Sequence, residues 1–113
     1  MFGRVSAAFA VLIAIFMLFA MSKAEAVTLN QKQCEGLAEW VNGVAEVRDM
    51  GAAKGKHWKH LARANPDLAP ELLAMLRREF DQVYLQASVP PLTLAQEVYG
   101  RCVRNKGDMG TSL

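Results

Sequence analysis

Residues 33–51 read QCEGLAEWVNGVAEVRDMG, and this stretch decides the fold. Its apolar side chains recur at steps of three and four, so they fall on one stripe of an amphipathic helix. The predicted stripe comprises Cys34, Leu37, Val41 and Val44, with Ala38, Trp40, Ala45, Val47 and Met50 beside them. Thr28 with Gln31 fits a capping box at the start, and Asn30 is the alternative cap. Gly51 predicts the end of the helix, because glycine adopts left-handed dihedrals at little cost.

The N-terminus has the pattern of a secretory signal peptide. Arg4 makes it basic, residues 5–21 are almost entirely apolar, and residues 24–26 read Ala-Glu-Ala. A basic start, an apolar core and a small-x-small site are the three parts of such a signal. We therefore predict that residues 1–26 are a signal peptide and that the exported chain, periplasmic or secreted, begins at Val27. The alternative is an uncleaved anchor, since the apolar run is close to the length that spans a bilayer.

The chain has two cysteines, Cys34 and Cys102. An even pair in a small exported chain favours a disulfide, because export delivers the chain to an oxidising compartment. Closing a loop of this length stabilises a fold by about 4 kcal/mol on the chain-entropy model, and small domains are marginal without such a staple. The competing interpretations are two reduced, buried thiols or a reactive thiol.

Three more helices are predicted after the first. A short one within residues 52–64 would bury Trp58 and end before Pro66. The next would be capped by Asp67, and its buried pattern is Leu72, Leu73, Leu76, Phe80, Val83, Tyr84 and Ala87. The last would be capped by Thr93 with Gln96, and its buried pattern is Leu94, Ala95, Val98, Tyr99, Cys102 and Val103.

The sequence therefore predicts an all-α fold, a small bundle of three to four helices closed by one disulfide. No segment shows the sustained apolar and polar alternation of a strand. Residues 27–107 would form one helical domain, and residues 108–113 a disordered tail. Because the cysteines lie near the start of the first helix and near the end of the last, we expect these two helices to lie side by side and antiparallel.

The most cationic segment lies in the short second helix, and no acid occurs between Asp49 and Asp67. Its basic side chains are Lys54, Lys56, His57, Lys59, His60 and Arg63. Both histidines would gain charge as the pH falls toward six. The segment is a candidate binding surface for anionic lipid, lipopolysaccharide or an acidic protein, and an ordinary solvated helix face is the alternative.

His57 and His60 are three residues apart, so they could share a metal on one helix face. A zinc site needs a third protein ligand, and the neighbours here are lysines, whose charge disfavours a bound cation. We therefore predict no metal site. The sequence favours an exposed basic helix with Trp58 packed inward.

Nothing in the sequence predicts catalysis. Asp49 has no partner acid or base that can be argued to converge on it, and Ser88 and Ser112 lie in a linker and in the tail. Phosphate-binding glycine loops, C-x-x-C pairs and haem attachment motifs are absent from the sequence. Removing residues 1–26 takes two bases and one acid from the formal net charge of +2 and leaves +1. We therefore expect no enzymatic activity, no cofactor and no nucleic-acid partner.

Three short signatures resemble a broad group of small, largely uncharacterised exported helical proteins of Gram-negative bacteria and their phages. These signatures are Cys34-Glu35 at the head of a helix, Arg48-Asp49-Met50-Gly51 at its end, and Tyr99-x-x-Cys102 near the C-terminus. The resemblance implies a helical, disulfide-linked periplasmic domain and no particular activity. In architecture the chain is also similar to acid-activated periplasmic chaperones, although its cysteines are farther apart and no functional residue carries over.

The function expected from these observations is binding. We predict a non-enzymatic periplasmic protein that binds another envelope protein, as an inhibitor, an immunity factor or an accessory subunit. One alternative is an acid or stress chaperone. Another, if the signal segment is retained, is a membrane-anchored regulator of lysis or superinfection. The identity of the partner and the oligomeric state stay open.

Overall fold

The computed structural model describes residues 27–109, which form four α-helices. The helices are α1 (Gln31–Asp49), α2 (Lys54–Ala64), α3 (Pro70–Leu85) and α4 (Pro91–Arg104). In this part of the chain, β-structure is limited to one isolated antiparallel bridge between Thr28 and Asp108. The predicted all-α bundle is confirmed. The predicted signal peptide, residues 1–26, lies outside the described residues.

Helix α1 begins with a capping box formed by Asn30 and Gln33. The Asn30 side chain accepts a hydrogen bond from the Gln33 backbone N–H at 2.8 Å, and the Gln33 side chain accepts one from the Asn30 N–H at 2.8 Å. The pairing of Thr28 with Gln31 was therefore the wrong choice, and the alternative cap is the one used. Thr28 is extended and pairs with Asp108, so it does not lie at the helix start.

The starts of α3 and α4 are set by proline instead of by the predicted side-chain caps. Pro70 and Pro91 occupy the first turns, and neither helix has a side-chain cap hydrogen bond. Proline suits this position because its φ is already helical and its missing N–H would have no partner there. The predictions of Asp67 and Thr93 as caps were wrong for this reason. The predicted burial of four α3 residues is confirmed. These residues are Leu72, Leu76, Phe80 and Val83, and Met75 is buried with them.

Helices α1 and α4 form the principal pair of the bundle. The disulfide between Cys34 and Cys102 joins the start of α1 to the end of α4, with the two Cα atoms 5.8 Å apart. At the opposite end of the pair, Arg48 of α1 donates a hydrogen bond to the carbonyl of Val89, just before α4. The two helices are therefore antiparallel, as predicted.

The two ends of the described chain are hydrogen-bonded to each other beside the disulfide. The Leu29 N–H donates to the Gly107 carbonyl at 2.8 Å, and the Met109 N–H donates to the Val27 carbonyl at 3.0 Å. Asp108 and Met109 thus belong to the folded domain, contrary to the predicted tail, because their backbone completes this pairing. Residues 110–113 lie outside the described residues.

Candidate functional site

Helix α2, which carries the predicted basic surface, packs on α3. Lys54 at its start pairs with Asp81, and Trp58 one turn later lies beside Arg77. Helix α2 therefore runs antiparallel to α3. Its contacts with α3 are far fewer than those between α1 and α4. Like α3 and α4, it has no side-chain N-cap.

Four of the six predicted basic residues form one exposed row along α2. The row comprises Lys56, Lys59, His60 and Arg63, all exposed, and we call it the basic stripe. Their spacing of three, four and seven residues from Lys56 confines them to an arc of about 100° on the helix surface. The structure thus brings these four side chains to one outward face of the molecule.

Lys54 lies away from the basic stripe. Its ammonium is 3.1 Å from Oδ1 of Asp81, and the Nε of Arg77 donates to the same oxygen at 3.0 Å. All three side chains are about half exposed. Exposed pairs of this kind contribute little to stability. Asp81 is shared by two cations, so it offsets the charge of Lys54 only in part. Lys54 is separated from the stripe by its position, because it lies about 200° around the helix from Lys56.

His57 is buried and not on the exposed face of α2, so its assignment to the predicted basic surface was wrong. Its side chain is 7% exposed and lies edge-on to Phe80, with the ring centroids 5.1 Å apart. Its Nδ1 is 2.7 Å from the hydroxyl of Tyr84. Burial lowers the pKa of His57, and the charge of nearby His60 lowers it further. The inward side of α2 is therefore centred on His57 and Leu61, with Trp58 at its margin.

Trp58 is half-buried and forms the outer edge of the aromatic cluster. Its ring lies 5.2 Å from that of Phe80, and the guanidinium of Arg77 is 5.1 Å from its centroid. A cation over an indole face is attracted by the ring quadrupole. The inward packing predicted for Trp58 is thus only partly right. The tryptophan instead lies between buried Phe80 and exposed Arg77.

Arg48 joins three elements of the bundle, a role that the sequence did not indicate. Its Nη1 donates to the carbonyls of Val83 and Gln86 at 2.8 and 3.1 Å, and its Nη2 donates to Val89 at 2.9 Å. The last carbonyls of a helix have no partner within the helix, and the last turn of α3 has no basic residue of its own. Arg48 supplies that positive charge from α1, and Asp49 pairs with it at 2.7 Å.

Glu79 and Arg101 form a second, partly buried connection, between α3 and α4. The two guanidinium nitrogens donate to the two carboxylate oxygens at 2.8 and 3.0 Å, a bidentate arrangement. The hydrogen bonds to Glu79 raise the pKa of Arg101. Glu79 is buried and Arg101 is exposed, so the pair closes the edge of the helix interface.

Three large apolar side chains are exposed at the end of the bundle that Arg48 holds together. The exposed fractions are 65% for Met50, 76% for Leu85 and 65% for Leu92. They follow α1, end α3 and begin α4, and we call this group the apolar end. The sequence placed Met50 on the buried stripe, but the helix stops at Asp49 and the chain turns at Gly51, with φ of 92°. Val103, also predicted to be buried, is 43% exposed at the opposite end of α4.

Among the described residues, Glu79 and Arg101 both line one cleft, and Arg101 also lines another. The one between α1, α3 and α4 has a volume of about 30 Å³, far below the usual size of a small-molecule pocket. The other measures about 440 Å³ and is lined by Arg101, Asn105, Asp108 and Met109.

Comparison with known proteins gave no match to a family model, to a curated protein or to a solved structure. Among residues 27–109, no group of three or more histidine, cysteine, aspartate or glutamate side chains is placed to hold a metal ion. In the same range, no helix is both long and apolar enough to cross a bilayer. The predictions about enzymatic activity, partner and compartment stay predictions.

Proposed function

We propose that the protein is a small, non-enzymatic exported protein that binds another envelope protein through its exposed surface. The observation that carries this proposal is the apolar end, formed by Met50, Leu85 and Leu92. Single exposed apolar residues are common on any protein, whereas a group of large ones indicates an interaction site. The three side chains lie at helix ends whose backbone Arg48 connects by hydrogen bonds.

The interior supports the same proposal. The three buried polar or charged side chains of the described residues are Arg48, His57 and Glu79. Each is hydrogen-bonded to another element, Arg48 to backbone carbonyls, His57 to Tyr84 and Glu79 to Arg101. Their polar groups are thus used to hold helices together. An activity that resides on the surface fits this arrangement better than one that needs a reactive interior group.

The experiment compares two variants of the oxidised, exported protein as bait for envelope extract. In the first, Met50→Ser, Leu85→Ser and Leu92→Ser remove the apolar end. In the second, Val103→Ser removes an exposed apolar side chain elsewhere. A partner that is identified by mass spectrometry would then be purified and titrated. We expect the triple variant to bind at least tenfold more weakly and the Val103 variant to bind like the wild type. Equal binding by both variants, or no reproducible partner, would reject the proposal.

An acid-responsive chaperone is the second candidate, and the burial of His57 favours it. A protonated imidazole between Phe80 and Tyr84 would be poorly solvated, so acid weakens the attachment of α2. Release of α2 would expose the apolar side of α3, which includes Phe80. Suppression of client aggregation at pH 5 but not at pH 7, lost in His57→Phe, is the expected result. The third alternative, a membrane-anchored regulator, depends on residues 1–26, which lie outside the described residues.

A further inference from the structure

We propose that the basic stripe on α2 holds the protein against a membrane surface rich in anionic phospholipid. This inference concerns a different surface from the apolar end and does not depend on the function proposed above. The stripe consists of Lys56, Lys59, His60 and Arg63 on one outward face. Helix α2 contains no carboxylate, so nothing on the helix itself neutralises the row.

The distribution of charge over the molecule would orient it on such a surface. From Val27 onward the formal charge is +1, and α2 contributes four cations, so the remainder of that chain carries −3. Three of the acids, Glu35, Glu39 and Glu46, share one face of α1, since they are spaced four and seven residues apart. A field of negative headgroups therefore attracts α2 and repels the acidic face of α1, so binding through α2 is favoured over binding through that face.

The composition of the stripe fits a lipid surface better than a protein partner. Protein interfaces have an apolar or aromatic centre and are depleted in lysine. The outward face of α2 offers no large apolar side chain, because Trp58 and Leu61 are turned toward α3. A row of flexible point charges is suited to a planar array of phosphates, which requires no shape complementarity.

The expected strength follows from the number of charges. Each basic residue close to an anionic leaflet strengthens binding by about fivefold, so three permanent cations give roughly a hundredfold. The attraction acts over about one Debye length, which is about 10 Å at 0.1 M salt and about 3 Å at 1 M. Binding should therefore be reversible, moderate and strongly dependent on salt.

The test is co-sedimentation of the exported, oxidised protein with vesicles at 50 mM salt. The probes are equimolar phosphatidylglycerol and phosphatidylcholine, and phosphatidylcholine alone. The stripe variant carries Lys56→Gln, Lys59→Gln and Arg63→Gln. The matched control variant carries Lys32→Gln, Arg104→Gln and Lys106→Gln, which remove three exposed cations from other helices or turns and give the same net charge. Circular dichroism checks that both variants fold.

We expect the wild type to bind the anionic vesicles at least tenfold more tightly than the neutral ones and to be released at 0.5 M salt. The stripe variant should bind roughly a hundredfold more weakly, and the control should stay within about threefold of the wild type. Absence of binding to anionic vesicles would overturn the proposal. Equal binding to neutral vesicles, or equal weakening in both variants, would overturn it too.

A second copy of the chain is the main competing occupant, because the acidic face of α1 is complementary to the stripe. Sedimentation velocity of the same samples separates this case. Self-association that the stripe variant abolishes, without binding to anionic vesicles, would overturn the membrane proposal. None of these outcomes bears on the partner-binding proposal, which rests on Met50, Leu85 and Leu92 at the apolar end.

Discussion

The α1–α4 pair and helix α2 are held in the fold by different kinds of contact, although all three helices are amphipathic. The pair is joined by a disulfide at one end and by Arg48 at the other, and the paired chain ends lie beside the disulfide. Helix α2 has neither a disulfide nor a buried arginine of this kind, and its buried side chains are those of His57 and Leu61. Contacts between residues far apart in sequence are thus concentrated in the pair.

The difference indicates that, in a domain of this size, some helices mainly stabilise the fold while another mainly presents exposed side chains. The disulfide at one end and the Arg48 hydrogen bond at the other hold α1 and α4 together, and we call this pair the frame. Helix α3 packs on it. The outward side chains of α2 are exposed, so their charge can vary without disturbing the buried contacts of the helix. Both proposed surfaces follow this division. The apolar end lies where Arg48 connects the helices of the frame, and the basic stripe lies on the helix with the fewest contacts to the frame.

The largest expected effect is loss of the disulfide. Cys34→Ala with Cys102→Ala should lower the free energy of unfolding by about 4 kcal/mol, because the unfolded chain regains the entropy of a 68-residue loop. Urea unfolding followed by circular dichroism measures the change. Dithiothreitol should lower the stability of the wild type by a similar amount and leave the double variant unchanged. A loss below about 1 kcal/mol would show that the pair does not depend on its cross-link.

Substitution of Arg48 tests the other end of the pair. Arg48→Met keeps much of the packing but leaves the carbonyls of Val83, Gln86 and Val89 without their donor. Buried acceptors without partners are costly, and we expect a loss of about 3 kcal/mol. Arg104→Met, an exposed arginine at the end of α4, is the matched control and should cost less than about 0.5 kcal/mol. Similar losses for the two variants would contradict the role assigned to Arg48.

A comparison of two glycines measures the pairing of the chain ends. Gly51 and Gly107 both have positive φ, at 92° and 81°, so Gly→Ala brings comparable backbone strain at each. A Cβ at Gly51 has open space, whereas one at Gly107 would overlap the carbonyl of Leu29. Gly51→Ala should cost about 1 kcal/mol. Gly107→Ala should cost about 2 kcal/mol or more, because the chain ends must separate. Equal losses in thermal unfolding would show that the pairing of the ends adds nothing.

The frame and α3 were largely predictable from sequence because their signals are local and periodic. The stripes that include Leu37 and Phe80 are regular enough to be assigned without a structure, and a single cysteine pair leaves one disulfide to consider. Helix starts were harder to assign. Several capping residues compete within a few positions, and Pro70 and Pro91 override Asp67 and Thr93 through backbone geometry.

The candidate site was only partly predictable, because its details depend on contacts between distant segments. The row Lys56, Lys59, His60 and Arg63 could be found from composition and spacing. The role of Arg48 could not, since its acceptors lie 35 to 41 residues later and belong to the backbone. His57 was assigned to the surface together with the basic residues around it, but its position four residues before Leu61 places it on the inward side of α2.

The smallest expected effect concerns the attachment of α2 and depends on pH. Burial lowers the pKa of His57 below its usual 6.5. Above pH 6.5 the imidazole is neutral in both states, so its full contribution to stability is present. As the pH falls below 6.5 the unfolded chain takes up a proton that the folded protein resists, so the free energy of unfolding decreases until the folded pKa is reached. Between pH 7.5 and 5.5 the decrease should be up to about 1 kcal/mol.

The variants His57→Phe and His60→Gln separate this effect from the general titration of the protein. Phenylalanine keeps the contact with Phe80 but takes up no proton, so the decrease between pH 7.5 and 5.5 should largely disappear. His60 is exposed and contributes only through its charge on His57, so its variant should keep most of the decrease. Guanidinium unfolding at both pH values, which also screens the surface charges, gives the comparison. If His57→Phe loses as much stability on acidification as the wild type, the carboxylates and not the buried imidazole control the response. Helix α2 would then be attached to α3 independently of pH in this range.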